Sequence, residues 1–283
     1  WRDPPANNLY PSIPLDSPVL APSLCLVVES ANPAFPKGCR LATISSWQDY
    51  EVIEPDPAST RIVPEDHSVA EALGPFGLNA MTGYFGIREI GSPQPGESVL
   101  VSGAAGSAGS AAAQVAKQSG CRVVGIAGGP EKVSWLKGEC GLDACIDYKS
   151  ENVAEKVAEH FPSGIDIFFD NVGGEVLQVA VENMAPFGRI VLCGQISGYN
   201  EGTVNGPGNM MRLIYGGIRM QGFLVNHFAD QVPAAIADLE RWERAGEFKH
   251  KEDLRHGFDA IPMNFNDLFL GKNTGTLIVQ ISD

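Results

Sequence analysis

The sequence predicts an α/β protein in which a doubly wound parallel sheet is joined to a smaller β-rich lobe. From Ser98 onward, short β-branched apolar runs alternate with segments of helical period, the pattern of repeated right-handed βαβ units. Those runs are continuously apolar rather than alternating, as in strands covered by helices on both faces. Ahead of them, residues 24–53 hold short strand-like runs separated by proline, glycine and asparagine turns, which reads as a small all-β region.

Residues 1 to about 23 are dense in proline, whose ring fixes φ and removes a backbone donor, so this stretch reads as irregular. Runs 24–29, 40–44 and 50–53 read as strands, and near Ser68 the pattern turns helical. The parallel strands follow at 99–102, 122–127, 144–147, 165–170, 188–192 and 220–225, with helices such as 131–139 and 153–160 between them. An amphipathic helix over 231–245 places Ala235, Ile236, Leu239 and Trp242 on one face. The tail ends in TGTLIVQIS, whose alternation predicts a last strand returning to the β-rich lobe. The expected domains are 1–75 for the β-rich lobe, 76–240 for the sheet-and-helix domain and 241–283 for the return.

A chain of 283 residues, 44% hydrophobic, is long enough to bury a sizeable core across two lobes. Its net charge of −14 argues against general affinity for nucleic acid or acidic membranes, which needs clustered Lys and Arg, and leaves room only for local cationic pockets. The cysteines at 25, 39, 121, 140, 145 and 193 show neither a C-x-x-C pair nor a metal-ligand spacing, so no metal is expected. Cys121 and Cys193 lie in or beside apolar runs, where a free thiol is a small hydrophobe; this points to a reducing, cytoplasmic setting. No run approaches membrane-spanning length, and no signal peptide opens the chain.

The chemistry concentrates in SVLVSGAAGSAGSAAAQVAKQSG, residues 98–120, a strand running through a glycine turn into a helix of small residues. Gly106, Ser107, Ala108 and Gly109 stand at the start of that helix, where unpaired amides and the positive end of the helix dipole favour an anion. Without side chains at Gly106 and Gly109, a pyrophosphate can approach the backbone and the helix can pack on the strand. Ala104 takes the place of the first glycine of the usual dinucleotide fingerprint, so a plain tight βα turn is the competing reading.

The motifs VVESANPAFPKG, WQDY, LGPFGLNAMTGYFG, VSGAAGSAGS, FFDNVGG, GRIVLCGQISGYN, MQGFLV and KNTGTLIV together resemble the zinc-independent medium-chain dehydrogenases/reductases, in the prostaglandin reductase, alkenal double-bond reductase and curcumin reductase group. The similarity covers about residues 27–281. It implies a Rossmann nucleotide-binding domain and a GroES-like catalytic lobe, with a further N-terminal portion of that lobe before Trp1. It also implies NADPH. The local chemistry agrees, since Gly128 and Gly129 stand where an NAD site places a carboxylate. Lys132 and Tyr148 match the residues that hold the 2′-phosphate in the family, although Lys132 also reads as a solvated first-turn lysine. By the same resemblance Cys193, Gly194, Gln195, Ile196, Ser197, Phe223, Leu224 and Val225 line the nicotinamide and its ribose, Thr82 lies in the helix-start segment beside the nicotinamide, and Asn273 matches a position that contacts the cofactor from the tail. Asn171 sits at the carboxyl end of a parallel strand, where ligands of such sheets bind. Loop capping by Asn171 and ordinary core packing of the apolar residues are the structural alternatives.

The activity implied is hydride transfer to the β-carbon of an α,β-unsaturated ketone or aldehyde, with charge developing on the carbonyl oxygen and a donor required there. Tyr199 is the first candidate donor. Plant-type double-bond reductases place a tyrosine just after the GFVV-like strand, whereas this chain reads GFLVNHFADQ, so His227 is a second candidate acid or donor. A homodimer is expected from the family. Two other readings share these residues: a quinone reductase or biosynthetic cyclase or isomerase on the same fold, and a non-catalytic NADPH-binding protein.

Overall fold

A computed structural model describes residues 13–56, 59–198 and 206–282. Its first elements are three antiparallel strands in the order β1 (Leu20–Leu26), β2 (Arg40–Ser46) and β3 (Arg61–Val63). Pro22 is accommodated within β1 because that strand is, among the described residues, an edge with one side unpaired. Residues 50–53 form no strand: Tyr50 and Val52 stand in solvent with no face to bury, and Glu51 turns back to accept from the amide and hydroxyl of Ser46 at 2.9 and 2.6 Å. The third strand is Arg61–Val63 instead, where Val63 is buried.

Ser68 and Glu71 form a capping box on α1 (Val69–Leu73). Next, α2 (Leu78–Phe85) runs without a break into a π-helical turn over Gly86–Gly91. The parallel sheet is then built from β4 (Ser98–Val101), β5 (Arg122–Ala127), β6 (Ala144–Asp147), β7 (Ile165–Asp170), β8 (Met184–Leu192) and β9 (Arg219–Gly222). Between them run α3 (Ser107–Gln118), α4 (Pro130–Gly138), α5 (Val153–His160), α6 (Gly174–Asn183) and α7 (Met211–Gly216).

The strand order is β6-β5-β4-β7-β8-β9. The chain steps outward from β4 to β6 and then returns to the other side of β4, so the order reverses between β4 and β7. Alternate residues of one strand enter different cores: Val99, Val101, Ile167 and Phe169 pack with α2 and α3, while Leu100, Phe168 and Ile190 pack with α5 and α6. Both faces are therefore apolar, which is why these strands read as unbroken hydrophobic runs. Each fully buried side chain such as Phe169 contributes about 1.5–3 kcal/mol.

β8 starts at Met184, ahead of the predicted 188, and its pairing with β7 shifts register between Ile165 and Ile167. β9 ends at Gly222, and residues 223–224 already belong to the turn that follows. The amphipathic helix is α8 (Val232–Arg244), which buries Ala235, Leu239 and Trp242. The tail contains β10 (Glu252–His256), α9 (Ile261–Phe269) and β11 (Thr276–Gln280). β11 pairs in parallel with β10, a polar strand with no sequence signal of its own.

Candidate active site

After β4 the chain turns through Gly103 at φ 58°, and α3 opens with Gly106 as an extended N-cap at φ −78° and ψ 167°. The bonds of α3 begin with the Ser110 amide donating to the Gly106 carbonyl at 2.8 Å. Among the described residues, the amides of Ser107, Ala108 and Gly109 have no backbone partner, as expected for a first helical turn. The two glycines act differently. A Cβ on Gly109 would lie 2.2 Å from the Gly103 carbonyl oxygen, so helix and turn close together only without it. A Cβ on Gly106 would meet only that same oxygen, at 3.3 Å, and otherwise point into open space. The unpaired amides and the room beside Gly106 form a cradle for an anion.

At the end of β5, Gly128 lies beneath the Tyr148 ring, where a Cβ would come within 2.7 Å of a ring carbon. Lys132 donates through Nζ to the Gly271 carbonyl at 2.9 Å. Burial, with Lys149 nearby, lowers its pKa from the ordinary lysine value. An anion bound beside the two lysines would relieve that repulsion. A carboxylate also stands here: Asp147, at the end of β6, accepts through Oδ1 from the amides of Gly129 and Lys149 at 2.8 and 3.0 Å. Those bonds hold it below the usual aspartate range and commit that oxygen to the turn's own backbone.

The loops after β4, β7 and β8 are tied to one another at the point where the strand order reverses. Ser102 donates to Asp170 Oδ1 at 2.8 Å, and that carboxylate also accepts from the amides of Val172 and Gly173 at 3.0 Å. Burial raises the Asp170 pKa against the opposing pull of these donors. Asn171 donates from its backbone to Ser102 Oγ at 2.8 Å and from its side chain to the Ser102 carbonyl at 2.7 Å. Cys193 and Gly194 donate to the Asp170 carbonyl, Ile196 to Asn171, and Ser197 to Val172. Gln195 packs within 3.1 Å of where a Cβ on Gly173 would be. The sequence reading did not single out Ser102 or Asp170; the signal was an acid closing the apolar run of β7 and a serine closing β4.

The tail meets this edge as well. Thr276, the first residue of β11, donates to Ser107 Oγ at 2.7 Å, and Asn273 donates to Gly275 at 2.9 Å. On the other flank α2 approaches α3 so closely that a Cβ on Gly83 would lie 2.6 Å from the Ala108 carbonyl. Thr82 is thereby brought beside the start of α3, although its hydroxyl donates to Leu78 at 2.8 Å. Phe223 and Val225 pack on the core below Gly86, Leu224 is exposed, and His227 is exposed with Nδ1 accepting from the Leu224 amide at 3.4 Å. Tyr199 lies outside the described residues.

The six cysteines form no disulfide, and burial pushes the thiols of Cys121 and Cys145 up to about 11 and those of Cys140 and Cys193 up to about 12, so these four are packing groups rather than nucleophiles. Among the described residues, no group of three or more His, Cys, Asp or Glu is placed to hold a metal ion. A cleft of about 460 Å³ lies between α4 and residues 249–251, lined by Trp135 and His250 among others.

Residues 108–241 match the family model described as zinc-binding dehydrogenase. The chain is 38% identical to the 2-alkenal reductase (NADP(+)-dependent) of Nicotiana tabacum, over 94% of its own length and 78% of that protein's. It is 37% identical to prostaglandin reductase 1 of Bos taurus, over 98% and 86% of the two chains. It belongs to the zinc-independent medium-chain dehydrogenases/reductases, in the prostaglandin and alkenal reductase group. The fold of this group extends over nearly the whole chain: the crystal structure of CurA in complex with NADPH from Vibrio vulnificus superposes with a TM-score of 0.91 at 34% identity, covering 98% of this chain and 84% of that one.

Proposed function

We propose that this protein is an NADPH-dependent reductase of the C=C bond of α,β-unsaturated ketones and aldehydes. The observation that carries the reading is the opening of α3, where the amides of Ser107, Ala108 and Gly109 are unpaired beside open space at Gly106. With Lys132 and Lys149 farther along the same edge, this is a site for a diphosphate at one point and a phosphomonoester at another. Tyr148 flanks the second point from its seat on Gly128.

In this reading the loops carrying Asn171, residues 193–197 and residues 223–225 receive the nicotinamide half, with Thr82 and Asn273 at its margins. The bound cofactor supplies the hydride. The protein's own task is to hold the acceptor's carbonyl against a donor as negative charge builds on its oxygen, and His227 and Tyr199 are the residues assigned to it. Loss of NADPH absorbance with a panel of enones and enals tests the assignment. Acceptor-dependent oxidation is the expected result; tight NADPH binding with no acceptor able to promote oxidation would favour a binding protein instead.

We also assign a homodimer and a cytoplasmic setting. Among the described residues β9 has one unpaired edge, and Met210, Met211, Ile214 and Tyr215 are exposed beside the sheet, an arrangement suited to edge pairing with a second copy. Light scattering of the eluted protein should report twice the chain mass. The unpaired cysteines support the compartment. Among the described residues no helix is long and apolar enough to cross a membrane.

A further inference from the structure

The turn after β9 leads through Leu224 into a short 3-10 helical run, Val225–Gln231. Leu224 and His227 are exposed, and at the entry to that run the His227 amide donates to the Leu224 carbonyl at 3.1 Å and the Leu224 amide to His227 Nδ1 at 3.4 Å. Its helical run is broken at Phe228, which sits at φ −121° and ψ 24°. What seats the turn is aromatic. Phe228 stacks on Phe85 with ring centres 5.0 Å apart and planes 18° from parallel, and Phe223 lies 6.4 Å from Phe228. Phe223 reaches the core because residue 86 is glycine: a Cβ there would lie 2.8 Å from the Phe223 ring.

The base of the stack is rigid. Phe85 is fully buried and meets Tyr84 edge-on at 5.3 Å, and the Tyr84 hydroxyl donates to Asp238 of α8 at 2.7 Å. Phe85 also lies on the same helix as Thr82, so one element carries Thr82 and supports the turn after β9. We infer that Phe228 is a positioning residue for hydride transfer: stacked on Phe85, it holds residues 223–227 against α2 and so fixes the backbone that faces the nicotinamide and the aim of His227. This inference rests on the NADPH-reductase reading given above. Small errors of placement at a reacting centre are severe for rate and mild for binding, because binding is spread over the whole cofactor while transfer needs near-contact geometry.

The test uses the full chain with Phe228→Leu, which keeps apolar volume without the stack, Phe228→Ala, and Phe228→Tyr, which restores the stack. Four quantities are read for each: NADPH affinity by titration calorimetry, turnover with an enone, the isotope effect from deuterated NADPH, and hydrogen exchange along the chain. For Phe228→Leu and Phe228→Ala, turnover should fall about tenfold or more while the Kd for NADPH stays within about threefold. The isotope effect on kcat should rise and exchange should quicken at residues 223–230 but not in β4 or α3; Phe228→Tyr should regain most of the turnover. Unchanged turnover, or exchange quickened throughout the chain in step with a lower Tm, overturns the inference. A wild-type protein that binds NADPH yet reduces no enone would sink the reductase reading instead. In that case exchange alone decides the matter, and unaltered protection of 223–230 in Phe228→Leu overturns the role.

Discussion

Two glycines of the same turn should fail in opposite ways when each is given a methyl group. In Gly109→Ala the new carbon is forced to 2.2 Å from the Gly103 carbonyl oxygen and 3.0 Å from Ala104 Cα, both backbone atoms that cannot rotate aside. Turn or helix must shift, and overpacking of this kind costs about 1–3 kcal/mol, a fall of roughly 5 °C in Tm. In Gly106→Ala the backbone conformation, φ −78° and ψ 167°, suits any residue, and the carbon meets only one atom, at 3.3 Å. Its effect on stability should be about 0.5 kcal/mol, the modest difference between glycine and alanine at an N-cap. On the proposed reading the methyl group instead enters the space the diphosphate would occupy. Losing one charge-assisted amide bond there costs about 1.5–3 kcal/mol, so NADPH should bind roughly tenfold to a hundredfold more weakly. Thermal unfolding and calorimetric titration of both variants separate the two effects. A Gly106→Ala protein that binds NADPH like the wild type, or a Gly109→Ala protein as stable as the wild type, would refute the division of labour.

Lys132→Ala should raise the KM for NADPH by about tenfold to a hundredfold and leave that for NADH nearly unchanged; an equal effect on both removes the lysine from the phosphate site. Because burial and Lys149 lower the Lys132 pKa, the ammonium is lost at a lower pH than in an ordinary lysine, so preference for NADPH over NADH should decay earlier as pH rises through the alkaline range. Arg189 donates to both oxygens of Glu97 at 2.8 and 2.6 Å and to the Gly91 carbonyl at 2.9 Å, so Arg189→Met should destabilise by about 2 kcal/mol in thermal unfolding. Burial pushes Glu97 up, but its bonds to Arg189 and Gln94 hold it below the usual glutamate range. That stabilisation is present at neutral pH and is lost as pH falls through the lowered value, so the Tm gap between wild type and Glu97→Gln should close in acid. Replacing His227 with Ala, and separately Tyr199 with Phe, should lower turnover with little change in NADPH affinity; whichever variant turns over at the wild-type rate is not the donor.

The centre of the parallel sheet was legible because its middle strands are buried on both faces, which leaves apolar runs such as Val99 to Val101 and Ile167 to Phe169, whereas the edge strand β9 is largely exposed. The glycine turn after β4 was legible for a related reason: Gly103 at φ 58° and Gly109 beneath a carbonyl admit few other residues. Strand 50–53 misled because β-branched and aromatic residues mark it locally, while the absence of a partner strand is a tertiary fact. β10 escaped notice for the converse reason, since Glu252, Asp253 and Arg255 owe their strand to pairing with β11 and to the bonds Arg255 makes to Asp253, Asn264 and Asp267. The tail's approach to the site, through Gly271 on Lys132 and Thr276 on Ser107, joins residues more than a hundred positions apart and leaves no local pattern. Asp147 was missed because its carboxylate matters through the amide of Gly129 on the neighbouring strand's turn.

Titration calorimetry of the folded chain with NADPH and with NADH puts the central claim to the most direct test. Backbone amides at residues 107–109 and the lysine at 132 together predict saturable uptake of both nucleotides, with NADPH bound more tightly by about tenfold or more. Heat traces showing no uptake of either nucleotide, or equal affinity for the two, would contradict it.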